Sequence, residues 1–216
     1  LIPWIIPKKE FTKFGVNAKD IIHYRAIDAA VITKRKISKN SKKPAKKVKR
    51  KIILVRVEEE QASYSSKKRP AFPIIKEIIK NFHNEEIVVM GRYSSQVKHL
   101  AQTFGNKIKI LDKVVDGKTL LNNVDVFIGS GGTMTAESAL LGVPTISYNA
   151  IPNIIETYLV RKKLVLRKTS PKQITVSIRK LLDSPNLEIK NRAKKMLDSM
   201  EDPFPILVKT MKSILK

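Results

Sequence analysis

Asp125-Val-Phe-Ile-Gly-Ser-Gly-Gly-Thr-Met-Thr-Ala-Glu137 joins an apolar run to a cluster of glycines and then to a helix-forming stretch. Val124 to Ile128 reads as a short buried strand, Gly129 to Gly132 as a turn, and Thr133 to about Leu141 as a helix. A turn without Cβ atoms lets peptide N–H groups approach an anion closely. The helix that follows adds its unpaired first-turn donors and the positive end of its dipole. A phosphate or diphosphate is the natural guest of such a turn. A tight strand-to-helix connection with no guest is the competing reading of the glycines alone. Glu137, one helical turn in, favours the first reading, because a carboxylate there can accept hydrogen bonds from a ribose.

The same strand-then-helix pattern repeats on both sides of this stretch. Strands are expected at Lys51–Val57, Ile87–Met90, Lys107–Leu111, Val124–Ile128, Pro144–Tyr148 and Leu164–Leu166. Helices are expected at Ala71–Phe82, Ser94–Phe104, Gly117–Asn122, Thr133–Leu141, Asn153–Arg161 and Pro171–Leu182. Runs such as Ile52-Ile-Leu-Val55 are apolar at every position, which marks strands covered on both faces. The alternation specifies an α/β fold, a doubly wound parallel sheet of about six strands, with ligands bound at the carboxyl ends of the strands. Arg92 and Tyr93 follow the second strand, Asp116 precedes the fourth, and Tyr148 and Asn149 follow the fifth. Together with the glycine turn they outline a polar crevice.

The 216 residues contain no cysteine, so there is no disulfide framework, thiolate metal site or cysteine nucleophile. His23, His83 and His99 lack metal-ligand spacing, and no metal site is expected. The apolar runs are too short for a membrane span, and a soluble, cytoplasmic protein is expected, with contact at the inner membrane face left open. The formal charge is +24, and much of it falls between Lys34 and Lys51. That run is expected to be a disordered connector; it is also the place for weak contact with nucleic acid or an anionic membrane surface. Aromatic residues are not interleaved with it, as stacking on single strands would require.

Four segments result: a lead-in over 1–33, the connector over 34–50, a Rossmann-like domain over 51–183, and C-terminal helices over 184–216. The apolar stretch Leu1-Ile-Pro-Trp-Ile-Ile-Pro7 reads as a strand end and turn continuing from a preceding domain. Phe204, Leu207, Met211 and Leu215 recur at helical spacing, and the C-terminal helices are expected to pack on that domain.

Several segments resemble a prokaryotic family catalogued as domain of unknown function 354. They are Val88-Val-Met-Gly-Arg-Tyr93, Val115-Asp-Gly-Lys-Thr-Leu-Leu121, Asp125 to Met134, and Glu137-Ser-Ala-Leu-Leu-Gly-Val-Pro-Thr-Ile146; Ile6-Pro7 with Phe14-Gly15 is similar to that family's passage between domains. The resemblance extends to the C-terminal half of GT-B-type proteins, UDP-N-acetylglucosamine 2-epimerases and lipid-linked glucosaminyltransferases among them. It implies a UDP-sugar as substrate or ligand, no tightly bound cofactor, and glycosyltransferase-like chemistry once an N-terminal domain completes the fold. By position it assigns the diphosphate to Ser130, Gly131, Gly132, Thr133 and Arg92, the ribose to Glu137, and adds Asp116. A separate N-terminal chain or a homo-oligomer would then supply the rest of the enzyme. Two alternatives stay open: a polyanion-binding module acting through Lys34–Lys51, and a non-catalytic remnant that needs a partner chain.

Overall fold

The computed structural model describes residues 1–35, 50–59, 70–111, 116–148 and 153–215. Most of the Lys34–Lys51 run, Glu60, Tyr64 and Asn149 lie outside the described residues.

The lead-in contributes β1 (Ile2–Pro3), α1 (Lys9–Thr12), β2 (His23–Tyr24) and α2 (Asp28–Lys34). Then come β3 (Ile52–Arg56), α3 (Ala71–Asn81), β4 (Glu86–Met90), α4 (Ser94–Phe104), β5 (Lys109–Leu111) and α5 (Gly117–Leu121). The second half holds β6 (Val126–Gly129), α6 (Thr133–Leu140), β7 (Thr145–Ser147), α7 (Ile154–Arg161), β8 (Val165–Arg167) and α8 (Pro171–Asp183). Two more helices follow, α9 (Leu187–Asp198) and α10 (Phe204–Ile214).

The main sheet has six strands in the order β5-β4-β3-β6-β7-β8, and every pairing is parallel. This is the doubly wound sheet that the alternation predicts. Strand order reverses between β3 and β6, so the carboxyl ends of those two strands open a crevice. Each strand feeds both faces. Ile53, Val55 and Val57 join Val126 and Ile128 under α3, α4 and α8, against Ile74, Ile75, Ile78, Leu100, Ile174 and Ile178. Leu54 and Phe127 point to the opposite face, with Leu121 and Val143. Phe127 is fully buried, and such a ring contributes roughly 1.5–3 kcal/mol by leaving water.

One expectation is revised. Strand β5 starts at Lys109, not Lys107, because Gly105 (φ +52) turns the chain into a 3-10 segment over Gly105–Lys107. Helix α9 is seated on α6 of the same sheet domain: Ala193 is buried, and the backbone of Lys190 lies 2.8 Å from where a Cβ on Gly142 would stand. The lead-in packs there too, with Tyr24, Ala26, Ile27, Ala29 and Ala30 forming one cluster with Ala136, Ala139, Leu140 and Leu159. Helix α10 leaves apolar residues bare, with Phe204, Val208 and Met211 exposed, and Leu215 just past its end exposed too.

Candidate functional site

The crevice is built on the turn after β6. Gly129, the last residue of that strand, has no room for a side chain: a Cβ would fall 2.6 Å from Phe127 Cε1 and 2.6 Å from Thr135 Oγ1. Without a side chain here, the Phe127 ring and Thr135 close directly on the end of β6. Gly131 then takes φ +82, a left-handed conformation that glycine adopts without steric cost. Gly132, extended at φ −82 and ψ −168, caps α6. Among the described residues, the amides of Gly131, Gly132, Thr133 and Met134 donate to no carbonyl or side chain; the first helical bond at this end runs from Thr135 N to Gly132 O at 3.0 Å. Four donors at the positive end of α6 are therefore unspent. Asn153 fixes the turn from the far side. Its Nδ2 donates to Gly131 O at 3.0 Å, and its Oδ1 accepts from Glu156 N at 2.7 Å, capping α7.

Two guanidinium groups meet at this turn. Arg92, just past β4, places Nη2 only 3.7 Å from the Cβ position of Gly132, and its Nη1 pairs with Glu59 Oε2 at 3.2 Å. The structure thus brings Arg92 to the turn, although Arg92 and Gly132 stand 40 positions apart in the chain. Tyr93 donates its hydroxyl proton to the other oxygen of Glu59.

Arg56 is the second cation, and its sequence context hides it. It closes β3 at the point where strand order reverses. Its Nη1 faces Met90 Sδ at 2.7 Å and Met134 Sδ at 3.6 Å, both weak acceptors, and its Nε is buried with no hydrogen-bond partner. Burial, and next the charge of Arg92, hold its pKa below the ordinary arginine value, while Glu137 pulls it back up. A half-buried guanidinium with weak partners is strongly disposed to accept an anion.

Glu137 lies on the first turns of α6, its Oε2 3.4 Å from the Cβ position of Gly117 at the start of α5. Burial raises its pKa, Arg56 lowers it, and Asp116 adds to the rise. A carboxyl pKa raised by folding means that charging the group opposes the fold. That part of the stability is complete below the unfolded glutamate value and is lost as pH rises through the folded one. Glu137→Gln is therefore expected to melt higher than the parent near neutral pH. The gap should close as pH falls into the ordinary glutamate range, as thermal melts across a pH series would record.

The remaining sequence candidates support the crevice more than they line it. Asp116 caps α5, its Oδ1 accepting from Thr119 N at 2.8 Å and Thr119 Oγ1 at 2.7 Å, and these bonds lower its pKa. Tyr148 is only 3% exposed, and its hydroxyl lies 2.9 Å from Arg56 O and 3.0 Å from Glu58 Oε2. Burial pushes the Tyr148 pKa up; Glu58 reinforces that, and a hydrogen bond from Ser130 opposes it. Glu58 turns inward, where Oε2 also accepts from Ala71 N at 3.2 Å at the start of α3. Of the described acidic residues after β3, Glu58 serves the core and Glu59 pairs with Arg92 and Tyr93. Among the described residues, no group of histidine, aspartate and glutamate side chains has the arrangement of a metal site.

Parallel order, reversal point and glycine turn together define a Rossmann-like domain of the GT-B type. The chain belongs to the DUF354 family, a family of proteins of unknown function, whose pattern it matches over residues 1–216. An uncharacterized protein of Methanocaldococcus jannaschii is 29% identical over 158 residues, which are 72% of this chain and 42% of that protein. Among solved structures, the UDP-GlcNAc 2-epimerase of Methanocaldococcus jannaschii, in complex with UDP-GlcNAc and UDP, superposes with a TM-score of 0.62 at 16% identity. The match covers 83% of this chain and 52% of the epimerase. Spinosyn rhamnosyltransferase SpnG, complexed with thymidine diphosphate, gives a TM-score of 0.56 at 17% identity, covering 76% of this chain and 45% of the transferase. At these identities the likeness establishes the fold. This chain spans about half the length of the relatives it matches. No described helix is long and apolar enough to cross a membrane.

Proposed function

We propose that the crevice binds a nucleoside diphosphate-sugar, a UDP-sugar in the first instance. The diphosphate takes the amides of Gly131, Gly132, Thr133 and Met134 with the guanidinium groups of Arg92 and Arg56, and Glu137 takes the ribose hydroxyls. The observation that carries this reading is the convergence of four unspent amides with two arginines from two different strand ends. Charge on a departing diphosphate is stabilised by such preplaced donors and cations without a metal ion. That chemistry suits a glycosyltransferase-like or epimerase-like enzyme whose acceptor side is supplied by a second lobe. The nucleotides held by the epimerase and the rhamnosyltransferase, which share this fold, support the choice of ligand.

Titration calorimetry with UDP, UDP-N-acetylglucosamine and thymidine diphosphate tests the proposal. Saturable heat is expected with each diphosphate at submillimolar to millimolar ligand, and a much smaller response with uridine. A folded sample that gives no heat with any diphosphate at millimolar concentration overturns it.

A further inference from the structure

The ladder between β3 and β4 ends with Val57 N donating to Met90 O at 3.1 Å. Beyond that bond the two chains separate, and one side-chain amide fills the gap. Gln96, on the first turn of α4 and 3% exposed, donates from Nε2 to Glu58 O at 3.0 Å and accepts at Oε1 from Arg92 N at 2.8 Å. The side-chain amide presents one donor and one acceptor, as a peptide does, so it extends the sheet by one rung after the strands have parted. Gly91 makes this approach feasible. A Cβ there would stand 3.1 Å from Val97 Cγ2 and 3.5 Å from Gln96 Cβ, so a larger residue would press on the first turn of α4.

The two backbones joined by this amide carry the site. Arg92 is held directly. Glu58 is followed by Glu59, the carboxylate that pairs with Arg92. We infer that Gln96 is a positioning residue: it clamps the ends of β3 and β4 at a fixed separation and so aims the Arg92 guanidinium across the crevice at the Gly132 turn. The inference rests on the diphosphate reading of that turn. Gln96 itself touches no ligand; its effect passes through Arg92.

Gln96→Met keeps the side-chain length and removes both hydrogen bonds, and Gln96→Glu keeps the acceptor for Arg92 N while losing the donor. With UDP as probe, Gln96→Met is expected to weaken binding about tenfold, the loss of one charge-assisted contact. Arg92→Ala should weaken it by a similar or larger factor. The double variant should bind within about twofold of Arg92→Ala alone, because the two residues act as one unit. Losses that multiply overturn the inference, since a merely structural glutamine would add its effect independently. If Gln96→Met does not fold, the same cycle is run with Gln96→Glu.

Amide hydrogen exchange without ligand separates this inference from the reading of the site. The Arg92 amide is expected to exchange at least about tenfold faster in Gln96→Met than in the parent, the loss of roughly one net hydrogen bond. Unchanged protection overturns the clamp whether or not UDP binds. A parent protein that binds no diphosphate overturns the proposed function, and the exchange rates then decide the clamp alone.

Discussion

Arg56→Met is expected to weaken UDP binding by roughly 10- to 100-fold, as the loss of one or two charge-assisted hydrogen bonds implies, while leaving the fold intact. The reason lies in what surrounds the guanidinium. Its Nη1 faces thioether sulfurs, and its buried Nε lacks a partner, so the folded protein loses little when the group is removed. A buried charge without strong partners is a cost to the fold, and an apolar residue of similar length removes that cost. The melting temperature should therefore stay level or rise as affinity falls. Arg92→Ala tells a different story, since Arg92 is solvent-facing and already shares its charge with Glu59. Calorimetry and a thermal melt on the same preparation check the result. An Arg56→Met protein that melts like the parent and binds UDP equally well would remove Arg56 from the site.

The largest effect on stability is expected at Gly129. A methyl group there would stand 2.6 Å from Phe127 Cε1 and 2.6 Å from Thr135 Oγ1, in a place where both neighbours are buried. Overpacking of this kind costs about 1–3 kcal/mol. For a chain of this length that is a fall in melting temperature of about 2–12 °C. Gly132→Ala is the matching control. Its Cβ position has only Arg92 Nη2 nearby, at 3.7 Å, and its φ of −82 suits any residue, so the melt should hardly move. Circular dichroism melts of the two variants side by side decide the matter. Equal stability for both would mean that the bend at the end of β6 is looser than the contacts indicate.

The sheet was legible in the sequence because each strand is an unbroken apolar run, and runs buried on both faces leave little else to choose. The glycine turn was legible for a related reason, since left-handed geometry and close approach admit few residue types. Arg56 was not legible. In Ile-Ile-Leu-Val-Arg-Val it reads as the polar end of a strand, and only the strand order places it at the reversal point. Gln96 was hidden in the same way, because a glutamine on an amphipathic helix looks like surface until its partners are known. Tyr148 stood out as a crevice residue, yet its ring joined the core because Glu58 turned inward to meet its hydroxyl. The lead-in was harder still. Its small residues Ala26, Ala29 and Ala30 carry a weak hydrophobic signal, and they find their place only against the equally small Ala136 and Ala139 of α6.

Under the proposed function the bend after β6 offers peptide groups to its guest, and every amino acid other than proline carries the same peptide N–H. A lineage using this scaffold is therefore free to rewrite the side chains around the mouth of the cleft, exchanging one cargo for another. The grip on the constant part of the cargo survives such drift, as long as the small residues that shape the bend are kept.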